Sequence, residues 1–328
     1  IFNAFRNPDK ETVLTPWRVV NRHLSDTVGG YCFYNEEFTD EIDEPRYVEQ
    51  AEVTRRVFTP DTHILEINSK SGLYPLYMAY STYRAKVADA LFSTDTIEEQ
   101  QRIWEEVVRE NIFVICKTQM ARSITRRTLL GFRYDHAKGG FDNLYVPDDL
   151  INRITNEQNK LIEQINKGQT FKNFMNMKFN AIVGNPPYQL TGGSGGNNDA
   201  PIYQHFCHIA SKLTDKYVTL IMPARWFAAG RENLLGDFRT EMLKGEHLKK
   251  LVVFPDGGDV FQNVEIKGGI CYYLEDNQYS GLCKYVLYRD GLAHSSMRKL
   301  DTFDILIREP QLYDIVVKVE EKRIIWMW

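Results

Sequence analysis

Short β-type runs alternate with longer helical stretches through the middle of this 328-residue chain, and that alternation restricts the fold more than any other feature. Strands are expected at His63–Ile67, Ile112–Cys116, Asn180–Val183 and Tyr217–Met222. Helices are expected between them. Ile97, Trp104 and Val108 recur at helical spacing, as do Ile103 and Val107. Further helices are expected over Gln119–Leu130, from Asp148 to about Asn166, and over Ile202–Leu213. Near Leu248 the character changes: Leu248–Phe254, Gly269–Leu274 and Cys283–Tyr288 come one after another with few helical residues between. This order predicts a doubly wound, mostly parallel α/β sheet of seven strands, finished by antiparallel strands, with helices on both faces.

Bulk composition is compatible with such a domain, with 43% hydrophobic and 26% charged residues. No apolar run approaches the roughly 20 residues of a membrane span, and no signal peptide opens the chain. A cytoplasmic protein with no membrane partner is therefore expected. The five cysteines are scattered, odd in number and form no Cys-x-x-Cys pair, which predicts reduced thiols and no metal centre. His205 and His208 lack a flanking Glu or Cys at ligand spacing, so a packed or surface pair is the better reading. The net charge of −4 does not advertise nucleic-acid binding, although phosphate contacts need only a local basic surface. Arg122, Arg126, Arg127 and Arg133 cluster around one helix, where a solvated face is favoured over a phosphate contact. The chain opens on Ile1 and closes on Ile324-Ile325-Trp326-Met327-Trp328, which reads as a fragment of a larger polypeptide.

Asn185-Pro186-Pro187-Tyr188 comes directly after the strand Asn180–Val183 and Gly184. In an open α/β sheet, ligands bind at the carboxyl ends of strands. Two consecutive prolines fix two φ angles and remove two backbone donors, so the loop is stiff and presents carbonyl oxygens. An adjacent amide acceptor and a trailing aromatic complete a receptor for a flat molecule with an exocyclic NH2. Such an amine is a poor nucleophile, because its lone pair is delocalised into the ring. If Asn185 Oδ1 and the Pro186 carbonyl each accept one N–H, the nitrogen is driven towards tetrahedral geometry while Tyr188 stacks on the ring. Pro-Pro-Tyr alone would be a rigid turn with a core tyrosine. Its placement after Phe179-Asn180-Ala181-Ile182-Val183-Gly184 favours chemistry. The adjoining Thr191–Asn198, rich in glycine and asparagine, reads as a mobile loop.

This stretch resembles the catalytic motif of amino-methyltransferases, especially the γ-class adenine-N6 enzymes of bacterial restriction–modification systems. The resemblance covers roughly residues 12–290. Thr15-Pro16-Trp17-Arg18-Val19-Val20 is similar to the family's N-terminal cofactor motif. Ile64-Leu65-Glu66 and then Gly72 are similar to its first strand and loop, and Pro201-Ile202-Tyr203 to the helix after the catalytic loop. Ile221–Phe227 is similar to the next strand end. Phe261 falls where the family places a second aromatic against a flipped base. The resemblance implies a Rossmann-like S-adenosylmethionine-dependent methyltransferase fold, with a catalytic domain over 1–290 and a linker leading into a target-recognition region over 291–328. It further implies double-stranded DNA as substrate, a nuclease fused or partnered to the parent protein, and a flipped-out adenine. Thr15, Pro16, Glu66, Gly72 and Gln169 become the expected cofactor contacts; Asn185, Pro186, Pro187, Tyr188 and Phe261 become the expected catalytic residues.

The cofactor half departs from the family pattern. Lys70 stands at the middle glycine, Ile112–Lys117 offers no carboxylate for ribose, and Gln169 replaces an adenine-contacting Asp. Two other readings therefore stand beside the DNA methyltransferase. One is a non-catalytic DNA-recognition module on a decayed methyltransferase fold; the other is a protein-glutamine N5 methyltransferase, which shares Asn-Pro-Pro-Tyr.

Overall fold

A computed structural model of the chain describes residues 14–89, 96–131, 143–171, 174, 177–190, 200–228, 232–261 and 266–325. The Thr191–Asn198 loop and Arg133 lie outside the described residues. The chain divides into two units, Ile1–Ile221 and Met222–Trp328.

The first unit opens with helix α1 (Trp17–Thr27), a two-stranded antiparallel ribbon β1 (Gly30–Tyr34) and β2 (Glu41–Val48), and a short helix α2 (Glu52–Val57). Then come β3 (Ile64–Ser69), α3 (Leu73–Asp89), α4 (Ile97–Glu110), β4 (Ile112–Cys116), α5 (Gln119–Leu130), β5 (Leu144–Tyr145), α6 (Leu150–Thr155), α7 (Gln158–Asn166), β6 (Phe179–Gly184), α8 (Tyr203–Leu213) and β7 (Thr214–Pro223). Its strands lie side by side in the order β7-β6-β3-β4-β5, every neighbouring pair parallel. β3 and β4 are buried at every residue. A strand covered on both faces is mostly apolar, as Ile-Phe-Val-Ile-Cys in β4 is, whereas β3 buries Glu66, Asn68 and Ser69 as well.

The second unit contains α9 (Glu232–Lys244), β8 (Leu248–Phe254), β9 (Ile270–Asp276), β10 (Cys283–Arg289), β11 (Leu292–Arg298) and α10 (Pro310–Ile325). β8 pairs antiparallel with β9 and parallel with β10, and β10 forms an antiparallel hairpin with β11. All seven expected strands are present. The strands beyond them are β1, β2, the short β5 and the solvent-facing β11, whose residues are mostly exposed.

One helix departs from expectation. The stretch Asp148–Asn166 is two helices, not one. Asp149 caps α6 by accepting from the Asn152 amide, and α6 stops at Asn156, whose Nδ2 donates to Asn152 Oδ1. Asparagine is a weak helix former, which suits Asn156 to the end of α6. Arg153 then spans the break to Gln164 Oε1 at 2.8 Å.

The sheet's carboxyl end is shaped by two glycines. Gly184 has φ +150°, and a Cβ there would lie 2.7 Å from the Ile67 carbonyl oxygen. Gly72 has φ +77°, and its Cβ would lie 2.9 Å from Thr125 Cα on α5. The first lets β6 close against β3; the second lets the loop after β3 meet a helix backbone.

Candidate active site

Thr15 lies just ahead of α1, whose first turn is organised by the Pro16 carbonyl accepting from the Val19 and Val20 amides. Pro16 itself is exposed. Asn185 leaves the end of β6 only 4% exposed. The two meet: Asn185 Nδ2 donates to Thr15 Oγ1 at 2.9 Å, across 170 residues of sequence. With the nitrogen engaged, Asn185 Oδ1 is left buried and finds no partner among the described residues. Buried acceptors are almost always satisfied, so this oxygen is arranged for something that arrives.

The rest of the loop is equally fixed. Pro186 and Pro187 are buried and Tyr188 is half-buried. The Tyr188 carbonyl accepts from the Ile202 amide, and Gln189 bridges to Pro201, so the loop is stitched directly to the start of α8.

On β3, Glu66 is buried, and burial pushes its carboxyl up to about 8, with Ser69 and Lys70 opposing the shift. Its Oε2 also lacks a partner among the described residues. The Cys116 thiol at the end of β4 is pushed up to about 12, mainly by burial, with the negative charge of Glu66 adding to it. A neutral thiol thus stands on the strand where the resemblance expected a ribose carboxylate. Ser69 and Thr125 join the loop after β3 to α5 through their hydroxyls at 2.9 Å, and Thr128 donates to the Ser71 carbonyl at 2.7 Å.

Beneath the loop lies a polar network that sequence reasoning missed. His23 on α1 is fully buried, with Nδ1 2.8 Å from the Tyr74 hydroxyl and Nε2 2.7 Å from Thr219 Oγ1 on β7. Burial pulls its imidazole down to about 3, so it is neutral at physiological pH. Burial also raises Tyr74, and the neighbouring Tyr188 and Glu66 add to the shift, which puts this network next to the loop.

Of the expected residues, Thr15 and Asn185 are therefore in direct contact. Glu66 lies on β3, the strand beside β6. Gly72 serves a contact with α5. Gln169 is exposed in the turn after α7, its backbone amide donating to Gln164. Phe261 belongs to the second unit, where it is buried and its amide donates to the Gly257 carbonyl. Among the described residues no group of three or more His, Cys, Asp or Glu is placed to hold a metal ion, and no helix is long and apolar enough to cross a membrane. All five cysteines are buried and unbridged.

A parallel sheet carrying a proline-stiffened carboxamide loop at its carboxyl edge is the α/β fold that the motif resemblance implied. The family model described as Eco57I restriction-modification methylase matches residues 110–261, from just before β4 through the Asn-Pro-Pro-Tyr loop to Phe261. Over that stretch the chain is similar to the restriction–modification methylases that the motif resemblance pointed to. An uncharacterized adenine-specific methylase of Mycoplasma pneumoniae is 44% identical over 161 residues, covering 45% of this chain. The chain spans 38% of that relative's length. Two solved structures share the fold. The DrdV–DNA complex aligns with a TM-score of 0.52 at 12% identity, over 86% of this chain and 28% of that one. A nuclease-deletion mutant of the Type ISP restriction-modification enzyme LlaGI, in complex with a DNA substrate mimic, aligns at 0.50 and 12% identity, over 86% and 24%.

Proposed function

We propose that this chain is the catalytic core of a DNA adenine-N6 methyltransferase that uses S-adenosylmethionine. The observation that carries the reading is the carboxamide of Asn185, its nitrogen held by Thr15 and its oxygen buried and unsatisfied at a strand carboxyl end. The family match and the adenine-specific relative favour a nucleobase over a glutamine side chain as acceptor of the methyl group.

The residues present suit the cofactor. Glu66 Oε2 on β3 and Asn185 Oδ1 just after the neighbouring β6 are buried acceptors without partners among the described residues. An acceptor-only set of this kind fits a cationic, donor-bearing ligand such as the methionine end of S-adenosylmethionine. When bound, that molecule supplies an electrophilic methyl group. Glu66 and Thr15 would line its methionine end, with the Gly72 loop and Gln169 towards its nucleoside.

The chain's own contribution is positioning and electrostatics. Asn185 Oδ1 and the Pro186 carbonyl would each accept one N–H of the adenine amine, making the nitrogen lone pair available. Pro187 keeps the loop rigid. Tyr188 would hold the ring, offsetting part of the cost of unstacking the base. Double-stranded DNA is the proposed partner, with a nuclease in the parent protein or beside it.

The test is Asn185→Ala in the full-length protein, monitored with tritiated cofactor on adenine-containing duplexes. Loss of one preorganised group of this type lowers transfer by about 10²–10³-fold, with fold and cofactor binding retained. Near-wild-type transfer would remove the loop from the mechanism. Failure of the wild-type protein to bind cofactor at all would favour the decayed, DNA-recognising module.

A further inference from the structure

We infer that Asn68 is a positioning residue for methyl transfer, an inference that rests on the function proposed above. Its side chain pins the backbone of the catalytic asparagine: Asn68 Nδ2 donates to the Asn185 carbonyl oxygen at 3.0 Å, a buried bond between residues 117 apart in sequence.

Three observations converge on this residue. The parallel register of β3 on β4 slips between Ile67 and Ser69, so Asn68 is the extra residue of a bulge at the end of β3. Bulges beside sites commonly serve to re-aim a side chain. Asn68 has φ +73°, in the left-handed region that asparagine tolerates better than other residues with a Cβ. Its Oδ1 is buried and finds no partner among the described residues, so the fold leaves an acceptor unmet in order to direct the nitrogen at Asn185. A bulge, a left-handed residue and an unmet acceptor at one position are three local costs with one common product, the bond to Asn185.

The bond acts on the loop through the two prolines that succeed Asn185. The Asn185 carbonyl belongs to the peptide plane joining Asn185 to Pro186, and the ring of Pro186 holds φ near −65°. Fixing the plane leaves the Pro186 carbonyl a single soft torsion, ψ, and Pro187 restricts that torsion in turn. Asn68 therefore controls the direction of the second amine acceptor, as Thr15 controls the direction of the first. Asn185 is gripped at both its side chain and its backbone.

The test uses the full-length protein with Asn68→Gly, which accepts the backbone conformation but lacks the donor, and Asn68→Asp. Asn68→Gly is expected to lower kcat by about 10–10²-fold, as a small misplacement of reacting groups does, with KM for the cofactor within about twofold of wild type. In Asn68→Asp a protonated carboxyl can donate to the Asn185 carbonyl and an ionised one cannot. Its kcat relative to wild type is expected to rise as pH is lowered from about 8 to about 6, a dependence that a purely structural side chain would not create. Independently of turnover, hydrogen exchange in the ligand-free protein should speed up at the Gly184, Asn185, Tyr188 and Gln189 amides in Asn68→Gly. Unchanged exchange there, or a kcat within twofold of wild type, overturns the inference. So does an equal loss of kcat and cofactor affinity. A wild-type protein that transfers no methyl group counts against the proposed function, and the exchange result then decides the role of Asn68 alone.

Discussion

His23 Nε2 lies 2.7 Å from Thr219 Oγ1, joining the first helix to a strand 196 residues later at a point with no access to solvent. With Tyr74 on the other ring nitrogen, the imidazole is held neutral in the folded chain, its pKa pulled down to about 3 by burial. The unfolded chain takes up this proton below about pH 6.5. The unfolded state therefore binds more protons between those values, and stability contributed here is present above about 6.5 and lost as pH falls towards 3. Urea denaturation from pH 7.5 to 4.5 should show this loss, and His23→Gln should flatten it. An unchanged slope in the variant would mean that other groups govern acid sensitivity.

Glu66 has the opposite sign. Its folded pKa is raised to about 8, so its contribution to stability is complete below about 4.5 and fades as pH rises through 8. A cationic ligand reverses that preference by favouring the carboxylate. Cofactor binding near pH 7 should release close to one proton, and affinity should climb by up to about tenfold per pH unit below 8. Calorimetry in buffers of different ionisation enthalpy measures the proton directly. Glu66→Gln should abolish the release; a release that survives would place the titrating group elsewhere.

Thr15→Val removes the acceptor for Asn185 Nδ2 while keeping shape, and Thr15→Ser keeps the hydroxyl. The valine variant should lose transfer activity on the order of 10²-fold with little change in melting temperature, and serine should recover most of it. Equal activity in both variants would show that the Asn185 carboxamide does not need Thr15 for orientation.

Tyr188→Phe should be mild, since the ring face remains. Tyr188→Ala should weaken capture of the extruded base by roughly 1–3 kcal/mol, the value of one stacked base. The difference should be read as KM for duplex DNA, and it should shrink on substrates carrying a mismatch at the target adenine, which is easier to extrude.

Gly72→Ala tests the glycine after β3. The added Cβ meets the Thr125 backbone at 2.9 Å and the φ of +77° is strained for alanine, so a loss of about 1–3 kcal/mol is expected. Chemical denaturation gives the value. A neutral substitution would mean that α5 yields.

The strands of the parallel core were legible because each carries a short apolar run, Ile64-Leu65 with Ile67 in β3, Ile112–Cys116 in β4 and Ala181–Val183 in β6. The β1–β2 ribbon was not legible. Glu41–Val48 is largely exposed, carries Pro45, and shows neither an apolar run nor clean alternation. Helix α3 was hidden because tyrosines populate several of its faces and Pro75 sits in its first turn, which blurs the helical stripe. The Asn-Pro-Pro-Tyr loop announced itself because its motif is written in four consecutive residues. His23 and Asn68 did not: one acts through partners 51 and 196 residues away, the other through a bulge and a positive φ, and neither leaves a local pattern.

The bond between Thr15 and Asn185 also has a consequence for biosynthesis. Asn185 leaves the ribosome 170 residues after Thr15, once α1 and strands β3 and β4 have been made. Chains emerging at about 5–20 residues per second therefore spend on the order of ten seconds or more with the N-terminal hydroxyl in place and nothing to orient. A nascent chain stopped before β6 can build much of the parallel core and still have no aimed carboxamide. The bond between the two side chains forms in one event, when the residue after the sixth strand meets a segment synthesised well before it.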